Sequence, residues 1–184
     1  GKMYDYKSIK SYEDFKSRVP LQTYDEVKHY VTRIRNGEQN LIWPSDIIWF
    51  AKSSGTTNDK SKFLPVSKES LKDIHYRGGQ DVVAMYLANN PNSKFFSGKG
   101  LILGGSHSPN LNSNNSLVGD LSAILIENIN PLVNFIRVPS KKIALMDEWE
   151  AKIEALANTT INQNVTNLSG VPSWMLVLIK YILD

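Results

Sequence analysis

The chain contains no cysteine, only three scattered histidines (His29, His75 and His107), and no apolar run long enough to cross a bilayer. Without Cys there can be no disulfide framework, no thiol nucleophile and no zinc site of the Cys type. The histidines share no metal-ligand spacing, so no protein-held metal is expected. The longest apolar stretch, Val171 to Leu183, is broken by Lys180 and falls short of the roughly 20 residues a membrane helix needs. Charge of one sign is scarce too: Lys+Arg 21 against Asp+Glu 18 leaves a net charge of +3. That excess is far below the clustered basic stripe of a nucleic-acid binder. Gly1 to Tyr4 lack the apolar core of a signal peptide. These absences point to a cytoplasmic protein with neither nucleic acid nor membrane as partner.

What remains is an ordinary globular composition over 184 residues, enough to bury a substantial core in one domain, residues 1–184, with no internal boundary. Ser11 to Phe15 reads as a short helix stopped before Pro20. Thr23-Tyr24-Asp25-Glu26 has capping-box spacing, and Val27, Tyr30, Val31 and Ile34 recur at helical intervals until Asn36-Gly37. Asp46 to Ala51 holds the apolar run of a buried strand, and Lys62 to Val66 a second extended piece. The longest helix starts after Ser67 and runs to about Ala88, with Gly78-Gly79 in its interior. Gly100 to Gly104 and Val165 to Leu168 read as strands, and Asp120 to Ile126 and Trp149 to Ala157 as helices. Pro172 to Leu183 reads as a helix apolar on almost every face, which calls for burial on all sides. Because the chain stops one residue later, truncation is the expected reason for such an element at its end. The fold class is a mixed α/β arrangement of helices packed on short strands.

The segment Lys52-Ser53-Ser54-Gly55-Thr56-Thr57-Asn58-Asp59-Lys60-Ser61-Lys62 carries the most chemistry. It is a hydroxyl-dense, glycine-containing loop between two extended segments, with lysines at its far end. Such hydroxyls and backbone N–H groups can donate to phosphate oxygens while Lys supplies charge. The same composition also suits a solvated turn. Other phosphate and nucleophile motifs fail on spacing. Gly55 to Ser61 lacks the second glycine of a Walker A loop. Gly98 to Gly104 is one residue too long for a dinucleotide fingerprint. Gly104-Gly105-Ser106-His107-Ser108 lacks the closing glycine of a nucleophile elbow, and its Ser and His are adjacent.

Ser53-Ser54-Gly55-Thr56-Thr57…Lys62 resembles the phosphate loop of the adenylate-forming superfamily. The loop length and the closing Pro65 resemble the auxin-responsive-promoter branch, the acyl-acid–amido synthetases, in a bacterial-type form. Val19-Pro20-Leu21, the Thr23 to Glu26 box and Ile34…Asn36-Gly37-Glu38 resemble that branch's approach to the loop. Leu168-Ser169-Gly170-Val171-Pro172-Ser173-Trp174 resembles its strand-to-helix segment beside the acyl pocket. Asp59 and Ser61 depart from the superfamily pattern, and a carboxylate at Asp59 suits a phosphate site only if it points away.

The resemblance implies the N-terminal part of an enzyme's large domain, one that uses ATP and Mg to adenylate a small-molecule carboxylic acid and then passes the acyl group to an amino acid amine. It implies that Ser53, Ser54, Gly55, Thr56, Thr57 and Lys62 bind the nucleotide phosphates, that Lys62 stabilises charge on the leaving pyrophosphate, and that Val171 and Pro172 border the acyl group. The later motifs of such enzymes have no counterpart here, so the chain alone is expected to be inactive. The alternative is a non-catalytic helical interaction module in which residues 53–61 are simply a flexible loop.

Overall fold

The computed structural model describes residues 4–53, 61–113 and 116–184. Its first helices follow from their caps. The Ser11 hydroxyl accepts the Asp14 N–H at 3.1 Å and opens α1 (Tyr12–Arg18). At the head of α2 (Tyr24–Arg35), the Glu26 carboxylate accepts from the Thr23 N–H at 2.5 Å and the Thr23 hydroxyl at 2.8 Å. Both bonds, the backbone one foremost, hold the Glu26 carboxyl below its ordinary range. Gly37, at φ 100°, takes the left-handed turn that ends α2. Arg33 and Glu38 pair across that turn.

The first sheet is built from β1 (Trp49–Lys52) and β2 (Phe63–Val66), and the long helix follows it. The strand begins three residues later than Asp46, although Ile47 is already buried. The Ser67 hydroxyl accepts the Ser70 N–H at 3.1 Å, as a cap at this position should. The helix opens with wide π turns over Ser70–Tyr76 and tightens into α3 (Arg77–Asn89). Gly78 and Gly79 sit where the α geometry begins, so the double glycine does not end the element.

The second half alternates β3 (Lys99–Leu103), β4 (Leu117–Gly119), α4 (Leu121–Asn128), β5 (Arg137–Val138), α5 (Lys141–Ala144), α6 (Trp149–Thr160), β6 (Val165–Gly170) and α7 (Pro172–Leu183). One sheet has the order β2-β1-β4, antiparallel then parallel; the other, β5-β3-β6, is parallel throughout. Strand β1 alternates as a doubly covered strand must. Phe50 packs with Val31 and Ile34 of α2, while Trp49 and Ala51 pack with Leu71 and Ile124 on the other face. The second sheet buries Leu101 and Leu103 under Ile153 and Leu156 of α6 and Met175 and Leu178 of α7. This is the mixed α/β layering the sequence implies.

Helix α7 departs from the expected all-round burial. Met175 and Leu178 are buried, and the Trp174 ring meets Trp149 of α6 edge-on at 5.4 Å. Leu176, Tyr181 and Leu183 are exposed. The helix covers one side of the sheet beside α6 and has described neighbours on that side only.

Candidate functional site

The β1–β2 hairpin brings the two ends of the hydroxyl-rich loop together. Lys52 faces Phe63 in the antiparallel register. Beyond that pair, the Ser53 N–H donates to the Lys62 carbonyl at 2.9 Å, and the Lys62 N–H donates to the Ser53 hydroxyl, also at 2.9 Å. Ser53 therefore closes the neck of the loop with both backbone and side chain. The Lys62 side chain is exposed, with its ammonium 5.5 Å from the centre of the Tyr24 ring. Tyr24 braces the neck from α2, its hydroxyl accepting the Phe63 N–H at 3.0 Å. Of the other expected phosphate-binding residues, Ser54, Gly55, Thr56 and Thr57 lie outside the described residues, as do Asp59 and Lys60. The described flanks are the two extended segments the sequence implies, not a strand running into a helix N-terminus.

Topology places this neck on an edge shared with the second sheet. The chain leaves the carboxyl end of β3 and passes through residues 104–108 to pair with the carboxyl end of β4. His107 bridges Gly119, and Ser106 and Asp120 exchange bonds: the Asp120 N–H donates to the Ser106 carbonyl at 3.0 Å, and the Ser106 N–H to the Asp120 carboxylate at 3.1 Å. Strand β4 lies parallel to β1, and β6 parallel to β3. Ser53 follows the carboxyl end of β1, and Val171 and Pro172 follow that of β6, so both emerge on the edge this crossover spans. In open α/β sheets that is the side on which ligands bind. Val171 is exposed at the start of α7. It borders the second sheet, whereas Ser53 and Lys62 belong to the first.

Under the crossover lies a polar cluster that sequence reasoning did not single out. Lys152, only 3% exposed, donates to the Gly104 carbonyl at 2.7 Å and the Gly105 carbonyl at 3.1 Å. Burial pushes its ammonium pKa down, while the Asp120 carboxylate pulls the other way. The Ser122 hydroxyl accepts the Gly105 N–H at 2.8 Å. His107 packs its ring on Trp49 at 5.2 Å. Among the described residues no three His, Asp or Glu side chains converge as metal ligands, and no helix is long and apolar enough to cross a membrane.

Comparison with known proteins gives the family and the fold of the chain. The model of the GH3 family N-terminal domain matches residues 1–182. Indole-3-acetic acid-amido synthetase GH3.17 of Arabidopsis thaliana is 35% identical over 69 residues, 37% of this chain and 11% of the relative. Probable indole-3-acetic acid-amido synthetase GH3.11 of Oryza sativa subsp. japonica is 33% identical over 90 residues, 48% of this chain and 15% of the relative. Among solved structures, GH3.15 acyl acid amido synthetase superposes with a TM-score of 0.72 over 96% of this chain and 31% of that one, at 22% identity. The chain thus spans about a third of the length of that structure. With the match running from residue 1 to residue 182, the chain belongs to the GH3 family, in the region of its N-terminal domain.

Proposed function

We propose that this chain supplies the nucleotide-phosphate end of an ATP-dependent acyl-acid–amido synthetase of the adenylate-forming type, one that activates a small carboxylic acid and passes it to an amino acid amine. The observation that carries the reading is the neck at Ser53 and Lys62. A hydroxyl-rich loop whose two ends are joined at Ser53 and Lys62, at the carboxyl edge of a strand flanked by a parallel neighbour, can hold phosphate oxygens. ATP supplies the leaving pyrophosphate. The chain's own part is positional and electrostatic: Ser53, Ser54, Thr56 and Thr57 offer hydroxyl or N–H donors, Gly55 gives the backbone close approach, and Lys62 adds a mobile positive charge. The exposed Lys62 ammonium is free to swing toward the loop. Mg would be carried by the phosphates of the nucleotide; among the described residues no three carboxylate or imidazole groups converge. Val171 and Pro172 border the acyl group on the same edge.

The test is acid-dependent exchange of pyrophosphate into ATP in the full-length synthetase that carries this sequence. Lys62→Ala should slow exchange on the order of a hundredfold, equivalent to about 3 kcal/mol of transition-state stabilisation. Lys60→Ala should change it only slightly. The reverse order would move the charge to Lys60 and overturn the register. Small, equal effects would favour a plain solvated turn.

A further inference from the structure

A concavity lies between α2, the segment 41–47, the edge strand β2 and the first turns of the long helix, sharing Tyr24 with the loop neck. Its volume is about 870 Å³, within the range of small-ligand sites. Five aromatic side chains line it: Tyr4, Tyr6, Tyr24, Tyr30 and Trp43. The charged groups among its described lining residues are two carboxylates, Glu69 and Asp73, and no Lys or Arg is among them. In a chain where bases outnumber acids, 21 to 18, that selection is one-sided. Lys62, near the Tyr24 ring, is not among the lining residues.

The acidic rim is built into the wall. One Glu69 carboxylate oxygen accepts from the Trp43 indole N–H at 3.1 Å and from the Ser45 hydroxyl at 2.9 Å. Its own backbone N–H first, then Ser45 and Trp43, hold the Glu69 carboxyl below its ordinary range, so it is charged at neutral pH. Trp43 is thereby oriented by the same carboxylate that sets the field. Aromatic faces attract cations through their quadrupoles, and apolar walls strengthen that attraction by displacing water. A neutral apolar guest would gain nothing from the two carboxylates, and an anion would be repelled by them.

We infer that this cleft binds a small organic cation, an ammonium group on an apolar body, with the rings of Trp43 and the tyrosines enclosing the body and Glu69 and Asp73 facing the charge. The site shares Tyr24 with the loop neck but does not depend on the ligase reading.

Phenethylammonium and its neutral analogue 2-phenylethanol, titrated into this chain by calorimetry and by backbone-amide NMR, distinguish the possibilities. The cation should bind saturably, shift amides of the lining residues, and bind about tenfold more tightly than the alcohol. Raised salt should weaken it. Asp73→Asn, an exposed change that leaves the Glu69 bonds intact, should lower its affinity about fivefold with the melting temperature unchanged. Equal affinity for the alcohol, tighter binding of phenylacetate, unaltered affinity in Asp73→Asn, or no saturable binding of the amine up to about 10 mM would each overturn the assignment.

Discussion

The Lys152 ammonium lies 2.7 Å from the carbonyl oxygen of Gly104, joining the first turn of α6 to the point where the chain leaves one sheet for the other. It is a buried cation whose partners are two backbone carbonyls, with Asp120 close enough to favour its charge. Burying a charge costs stability, and here the return is a fixed path for residues 104–108.

Replacing that lysine should therefore separate charge from hydrogen bonding. Lys152→Met keeps most of the side-chain volume but leaves two carbonyls without a donor, and should lower unfolding free energy by about 1–3 kcal/mol. Because burial depresses the folded-state pKa of Lys152, the unfolded chain binds more protons between that lowered value and the ordinary pKa near ~10.4. Wild-type stability should rise with pH through this window and be lost again as pH falls through the folded value. In Lys152→Met that contribution should vanish. Urea denaturation of both proteins between neutral and alkaline pH is the measurement, and parallel profiles would contradict the account.

Two glycines should respond oppositely to alanine. A Cβ on Gly105 would overlap the Asp120 carboxylate, which is itself held by Ser106. Gly105→Ala should cost about 1–3 kcal/mol through displacement of that pair. A Cβ on Gly79, inside α3, meets nothing within 4 Å. Gly79→Ala should stabilise by roughly 0.5–1 kcal/mol through helix propensity. Thermal melts of the two variants should move in opposite directions.

Tyr24→Phe tests the brace of the loop neck. The phenol oxygen accepts the part-buried Phe63 N–H at 3.0 Å, and its loss should cost about 1 kcal/mol. Amide exchange at Phe63 should accelerate more than exchange in α6. A uniform acceleration would mean the hydroxyl acts on global stability alone.

The outward side of α7 carries Leu176, Val177, Tyr181 and Leu183 without cover among the described residues. Contiguous apolar surface of this kind drives association. Sedimentation should show concentration-dependent self-association of this chain, and Leu176→Glu with Leu183→Glu should weaken it by about tenfold or more. A monomer at every concentration would refute this.

Much of the fold is legible where the signal is local. The capping residues Ser11, Thr23 and Ser67 mark helix starts, and the run Ile47 to Phe50 marks the central strand within two or three positions. Strands β4 and β5, three and two residues long, are too short to show any period, and their existence depends on partners far along the chain. The hydroxyl-rich loop proposed above to hold phosphate stands out in the sequence because its residues are contiguous. The aromatic cleft cannot, because its rings come from residues 4 to 43 and are brought together only by folding. Lys152 had a faint signal: with Leu156 and Thr160 it stands at i, i+4 and i+8, on the buried stripe of α6. A lysine in a helix ordinarily reads as solvent-facing, and the carbonyls that make its burial tolerable lie 48 and 47 positions earlier in the chain.

The crossover at residues 104–108 has a kinetic corollary. Its N–H and carbonyl groups are shared among β4, Asp120, Ser122 and Lys152, so this segment cannot open without breaking bonds to β4, α4 and α6 together. Regions bound in this way exchange their amide hydrogens as one cooperative unit. Gly105, Ser106 and Ser108 would then exchange deuterium at the pace of the central strands β1 and β3, on a time scale foreign to an ordinary surface loop.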